Sequence, residues 1–226
     1  MEETDVLLED SLALTEAPEQ IMAWDLITQG GIPMLVIAAM LFWALLLIFE
    51  RFLAISRANQ DTEDLSSQVR LALQNGSLKE AINVCKEKKD SPFNRMLQKG
   101  LERMRFSRDI KPIKATIEDM GELELFKLEK NLSTLATLAG AAPMVGFLGT
   151  VLGMIDVFMD LHKLEGSITP QKLSEGIYQA MVTTAGGLAV GIIAYIAYNV
   201  LVSFVSKIVY KMKQLTFEFL DVLQSA

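Results

Sequence analysis

Three long stretches without a charged side chain constrain this 226-residue chain more than any other feature. They cover residues 26–49, 131–155 and 176–206. A helix of about 20 apolar residues crosses the hydrocarbon core of a bilayer, so each stretch is long enough to span a membrane. A buried helix of a large soluble protein is the alternative, but such helices seldom run so far without a charge. The residues before the first stretch are acidic, whereas those of a cleavable signal peptide would be basic, so we expect the first stretch to remain as a helix.

The positive charges predict the orientation of the spans. Sixteen of the 21 Lys and Arg residues lie between positions 50 and 130, while the first 25 residues contain eight acids and no base. Because positive charge near helix ends favours the cytoplasm, we expect an N-terminus outside and a C-terminus inside. The expected order is an acidic periplasmic segment (1–25), a first span (26–49), a cytoplasmic helical domain (50–130), a second span (131–155), a periplasmic loop (156–175), a third span (176–206) and a cytoplasmic C-terminal helix (207–226).

The segment between the first two spans has the pattern of helices joined by short turns. Ser77 can cap one helix, and Ser91 followed by Pro92 is typical of the start of another. From Pro112 the pattern continues into the second span without a Pro or Gly cluster, which predicts one long helix projecting into the cytoplasm. The expected fold is therefore an all-α membrane protein with three transmembrane helices and a cytoplasmic helical domain, its second and third helices extended into the cytoplasm.

The sequence has no pattern typical of an enzyme or of a metal or cofactor site. It lacks a phosphate-binding loop, a paired nucleophile and base, and a His/Cys cluster, so we expect no catalytic residues, no metal and no cofactor. The lone Cys85 cannot form an internal disulfide, and His162 is interpreted as a solvated loop histidine. The 16 bases of the inner segment are balanced by 14 acids, so its charges are interpreted as a solvated face and a nucleic-acid partner has no support.

The second and third spans differ from the first because they contain many small and hydroxyl residues. Such residues allow helices to approach closely in lipid, or they can line a path shared with partner proteins, and the pattern alone favours packing. On a helical projection they fall on one face of each span: Ala139, Ala142, Pro143, Gly146, Thr150 and Gly153 in the second, and Gly176, Gln179, Thr183, Thr184, Gly187, Gly191 and Tyr198 in the third. The glycines to which we assign helix packing are Gly146, Gly149, Gly153, Gly187 and Gly191.

Two segments carry a family resemblance. GAAPMVGFLGTVLGMIDVF (140–158) and GIYQAMVTTAGGLAVGIIAYIAYN (176–199) resemble the MotA/TolQ/ExbB proton channel family, and most closely its ExbB branch, with the TolQ branch nearby. The MotA branch has four spans, which argues against it. The resemblance implies a bacterial inner-membrane protein whose second and third helices, in a ring of five subunits, surround helices of an ExbD-like single-span partner. Proton flow past a membrane aspartate of that partner would drive work on a TonB-like protein.

The resemblance also implies roles for individual residues. Thr150 matches the family's second-helix threonine and Thr184 its third-helix threonine, so both are expected to line the proton pathway, together with Thr183 and Gln179. Relatives commonly have a glutamate where this chain has Gln179. The chain therefore either does not need that acid or has been altered there. The family's proline near the middle of the third helix is replaced by Ile193.

With Gln179 in place, the three spans contain no Asp, Glu, Lys, Arg or His. Intramembrane ionisable residues are the usual marks of a proton relay, so the partner must supply the carboxylate, and we expect the subunit alone to conduct no protons. Glu175, one turn before Gln179, could collect ions at the outer mouth, or it could be an ordinary acid near a helix N-terminus. The leading interpretation is a proton-driven energiser. A TolQ-like energiser and a passive membrane scaffold are the alternatives, and the sequence leaves open whether protons or sodium ions are used.

Overall fold

The computed structural model describes residues 30–58, 67–69, 71–72, 77–87, 91–106, 109–163 and 169–225. These residues are almost entirely helical and include no strand, which confirms the all-α prediction. The acidic segment 1–25, the first residues of the first span (26–29), the middle of the predicted loop (164–168) and most of 59–76 lie outside the described residues. Six helices have described bounds: α1 (Gly31–Ala58), α2 (Leu78–Glu87), α3 (Pro92–Met104), α4 (Ile110–Glu129), α5 (Leu132–Lys163) and α6 (Pro170–Ser225).

Three described helical segments are long and apolar enough to cross a membrane: α1, α4 continuing into α5, and α6. The 56 residues of α6 rise about 1.5 Å each, so this helix is far longer than a bilayer core is thick. The third span and the C-terminal segment thus form one helix. Because α5 continues to Lys163 and α6 begins at Pro170, most of the segment assigned to a periplasmic loop is helical. His162 is exposed as predicted, but it lies in the last turn of α5.

The long helix predicted from Pro112 into the second span is interrupted once, between α4 and α5. Asn131 has a φ of 63°. This left-handed conformation is uncommon outside glycine but is tolerated by asparagine, whose short side chain can bond locally. The Asn131 amide lies 3.5 Å from the Glu50 carboxylate. The interruption carries neither Gly nor Pro, which explains why the sequence pattern did not reveal it.

The chain divides into two compact units. The first contains the start of α1, α5 from Ala142 onward, and α6 up to Ala189. The second contains the remaining described residues and has a core of large apolar side chains. In it, α3 begins after Ser91, which has the extended backbone of an N-cap but makes no side-chain capping bond. The first turn of α4 is capped by the Asp109 carboxylate, which accepts from the Lys111 N–H at 3.2 Å.

A buried carboxylate joins α3 to α4 within this second unit. Glu124 is only 1% exposed, and it accepts from Arg95 at 2.6 Å and from Lys127 at 2.7 Å. Burial alone would raise the pKa of the Glu124 carboxyl, but the hydrogen bonds and positive charges of Arg95 and Lys127 outweigh burial and lower it. The interpretation of this segment's charges as a solvated face is therefore wrong for Glu124, since a charge pattern does not show which side chain a neighbouring helix covers.

Candidate ion pathway on helices α5 and α6

The site predicted from the sequence lies where α5 and α6 meet at two glycines of the first unit. A methyl group placed on Gly187 would lie 2.6 Å from the carbonyl oxygen of Ala142 and 2.8 Å from the Cα of Gly146. A methyl group on Gly146 would lie 2.9 Å from the carbonyl oxygen of Thr183. The two backbones therefore touch at this level. No residue larger than glycine fits either position without moving a helix.

Two further glycines extend the contact toward the N-terminal end of α6. A methyl group on Gly153 would meet the side chain of Ala180 at 3.2 Å, which is tight but not excluded. One on Gly176 would collide with Val157. Gly191, also assigned to packing from the sequence, lies in the second unit and is buried.

Thr184 is the one predicted pathway residue whose described hydroxyl bond crosses from one helix to the other. Its Oγ1 donates to the carbonyl oxygen of Gly146 at 3.1 Å, and its side chain is half-buried. The bond is possible because Gly146 has no side chain to separate the helices. The Thr184 hydroxyl is thus held against Gly146, the residue one helical turn before Thr150 on α5.

Thr183 and Thr150 have their hydroxyls satisfied within their own helices. Thr183 is 1% exposed and donates to the Ala180 carbonyl oxygen at 2.8 Å. Thr150 is half-buried and donates to the Phe147 carbonyl oxygen at 2.6 Å. Such local bonds satisfy a hydroxyl in an apolar environment without needing a partner protein. Among the described contacts, no bond joins the Thr150 and Thr184 hydroxyls.

Gln179 and Glu175 have different surroundings. Gln179 is half-buried, and its amide packs on Gly31 at the start of α1. Glu175 is exposed. Because α6 begins at Pro170, Glu175 is in the second helical turn rather than the first. An interaction with the helix dipole falls off after the first turn, so it explains little of the placement of this acid.

The first turn of α1 is the part of the site that sequence reasoning missed. The sequence assigned no pathway or packing residue to the first span, yet Pro33 and Met34 pack against α5 and α6 through Gly149 and Gly186. The available signal was the pair Gly30–Gly31 followed closely by Pro33, which is unusual at the start of a simple anchor.

The described residues include no group of three or more His, Cys, Asp or Glu side chains placed to hold a metal ion. Cys85 is buried in the second unit, and burial raises the pKa of its thiol to about 12. What α5 and α6 bring together is instead a set of hydroxyls and backbone carbonyls. Such groups can pass hydrogen bonds along but cannot by themselves take up a proton at neutral pH.

Residues 88–214 match the model of the MotA/TolQ/ExbB proton channel family, and this region includes all of α5 and α6 as far as residue 214. The chain belongs to this family. It is 31% identical to a biopolymer transport protein ExbB of Pseudomonas putida over 147 residues, which are 60% of this chain and 43% of that protein. It is 42% identical to an ExbB of Helicobacter pylori over 82 residues (36% of this chain, 55% of that protein). A Tol-Pal system protein TolQ of Haemophilus influenzae is 38% identical over 90 residues (38% and 39%).

The chain thus spans less than two thirds of the length of each of these relatives. The matches confirm the resemblance noted from the sequence, and they include both the ExbB and the TolQ branch. Together with the three apolar helices, they identify a multi-pass membrane protein of ExbB/TolQ type.

Proposed function

We propose that this chain is the channel-forming subunit of a proton-driven energiser in a bacterial inner membrane, with its N-terminus periplasmic and its C-terminus cytoplasmic. In this role a ring of its copies, five by family resemblance, surrounds helices of an ExbD-like partner. Proton flow between ring and partner drives a TonB-like protein that energises outer-membrane transport. A TolQ-type energiser of the cell envelope is the same machine acting on a different partner.

The observation that carries this proposal is the combination of hydroxyls and missing charge in the second and third spans, which form parts of α5 and α6. Thr150 and Thr184 lie on the two helices, and neither span contains an Asp, Glu, Lys, Arg or His. A surface whose polar groups are threonine hydroxyls lowers the cost of bringing a protonated carboxylic acid into the membrane, since the hydroxyl oxygens can accept its hydrogen bond. It has no titratable group of its own, so the proton carrier belongs to the partner.

The same observation supports a division of work between the chain and its partner. Thr184 donates to Gly146 in the isolated subunit, and its oxygen keeps lone pairs that can accept from a protonated carboxyl. Thr150 is placed in the same way by its bond to Phe147. The subunit thus supplies an ordered polar surface, while the partner supplies the group that gains and loses the proton.

The test is proton flux into liposomes that contain the purified chain alone or the chain with its single-span partner. We expect flux only with the partner, and we expect Thr150→Val and Thr184→Val to reduce it about 100-fold while the complex still co-purifies. Thr137→Val is the matched control, since the exposed Thr137 hydroxyl bonds within α5 to Ser133. Flux through the chain alone that Thr150→Val abolishes would contradict the proposal.

A passive scaffold is the second candidate, and the close backbone contact at Gly146 and Gly187 is the observation that favours it. Under that function the valine variants would lower the yield of the complex and leave the flux per complex unchanged. Measuring both quantities on the same preparations separates the two functions.

A further inference from the structure

The first turn of α1 meets the α5–α6 pair at three points, all within the first unit. A methyl group on Gly31 would lie 2.5 Å from Nε2 of Gln179. One on Gly149 would lie 2.6 Å from Thr183 Oγ1 and 3.2 Å from the Cβ of Pro33. One on Gly186 would lie 3.1 Å from both Sδ and Cε of Met34. Each point is thus a side chain packed on a glycine.

Gly31 meets two independent requirements for glycine. Its φ is +63°, a conformation that costs a residue with a Cβ roughly 1–2 kcal/mol. The space where that Cβ would lie is already filled by the Gln179 amide. The backbone turn that starts α1 therefore fits the side chain of Gln179 on α6, and a side chain at position 31 or a shorter one at position 179 would change this contact.

The residues that this turn contacts are those next to the proposed pathway. Thr183 precedes Thr184 directly, and Pro33 and Thr183 converge over Gly149, the residue before Thr150. Gln179 lies one turn before Thr183 on α6. A displacement of the α1 turn would therefore change the helix surface from which the Thr150 and Thr184 hydroxyls project.

We propose that Gln179 is a positioning residue, which docks the first turn of α1 on α6 and so fixes the helix pair that presents Thr150 and Thr184. This role rests on the proposed function and concerns a residue that the resemblance assigned to the proton pathway itself. In this chain the side chain acts by its length and shape against Gly31, and the proton route does not pass through its amide.

Substitutions of graded shape at position 179 test the role, measured as proton flux per assembled complex in liposomes with the single-span partner. Gln179→Ala removes the contact and is expected to lower flux about tenfold. Gln179→Met keeps the length without any hydrogen-bonding group and should keep flux within about twofold of the unchanged chain. Tyr178→Ala, a truncation at the neighbouring and more exposed position, is the matched control and should have little effect.

A double-mutant cycle with Gly31 tests the contact itself. Gly31→Ala should lower flux by a similar factor, and Gln179→Ala should add less than about twofold in that background, because the contact is already lost. The strain of alanine at a positive φ is present in both arms of the cycle and cancels.

The four chains of this cycle, which are the unchanged chain, the two single alanine variants and the double variant, are also compared by thermal unfolding of the subunit in detergent. This measurement needs no proton flux, and we expect the midpoints to be non-additive by about 2 °C or more. Coupled midpoints without any flux in the complete complex would keep the contact and overturn the proposed function. Flux that Gln179→Met lowers as much as Gln179→Ala would overturn the positioning role, since the amide itself would then be needed. Additive effects in both measurements would overturn the contact.

Discussion

In the α5–α6 contact the helices meet backbone to backbone at Gly146 and Gly187, whereas the core around α3 and α4 is filled by side chains such as Phe93, Leu101 and Ile117. Lipid is as apolar as leucine, so helices in a membrane gain little by burying large side chains and gain more from close packing and interhelical hydrogen bonds. In water, burial of apolar area is the main favourable term. The two regions should therefore respond oppositely when a side chain is enlarged or truncated.

The largest effect is expected from truncating the core of the second unit. Leu101 is fully buried, and Leu101→Ala should destabilise the protein by about 3 kcal/mol through lost burial and a residual cavity. Chemical or thermal unfolding in detergent measures the change. Leu123→Ala on α4 is the control, because that side chain is more than half exposed. Equal losses in the two variants would show that this segment is not held by a side-chain core.

Enlarging a side chain, rather than truncating it, should destabilise the contact between α5 and α6. Gly187→Ala places a methyl group against the backbone of α5, and we expect a loss of about 2 kcal/mol together with strongly reduced proton flux. Gly140→Ala is a matched control on α5, since an added methyl group there meets nothing within 4 Å. If both variants unfold at the same temperature, the two backbones do not touch at Gly187.

These two regions also differ in how far the sequence predicted them. The three spans and the small-residue faces could be predicted, because the absence of charge and the helical periodicity are local properties of the chain. The contact of Gln179 with Gly31 could not be predicted, because it joins two residues far apart in sequence. The sequence allowed Gln179 to be compared only with the glutamate that the family resemblance implies. The burial of Glu124 was hidden for the same reason, since the covering surface comes from another helix.

A third prediction concerns the ion pair that accompanies the side-chain core. Because the folded-state pKa of Glu124 is lower than its unfolded-state pKa, the carboxylate contributes stability above its ordinary pKa of about 4.5, and this contribution is lost as pH falls through the lower folded pKa. Glu124→Gln should cost about 1–2 kcal/mol at pH 7, with a difference from the unchanged chain that shrinks in acid. Unfolding midpoints between pH 7 and pH 3 measure it.

Glu118→Gln is the matched control for this effect. Glu118 is exposed and lies 3.7 Å from Lys114 on the same helix, so its loss should change stability by less than about 0.5 kcal/mol at any pH. A Glu124→Gln variant as stable as Glu118→Gln at pH 7 would mean that solvent reaches the Glu124 carboxylate.

The smallest effect on stability is expected where the effect on function should be largest. Thr184→Val keeps the side-chain volume and removes one interhelical hydrogen bond to Gly146, so the subunit should lose only about 0.6 kcal/mol. Thr184→Ser, which keeps the hydroxyl, should restore proton flux despite its smaller side chain. If packing governs stability and the hydroxyl governs flux, Thr184→Val should have the higher unfolding midpoint and Thr184→Ser the higher flux. A serine variant with the same low flux as the valine variant would mean that the shape of Thr184, and not its hydroxyl, is what α6 contributes to the pathway.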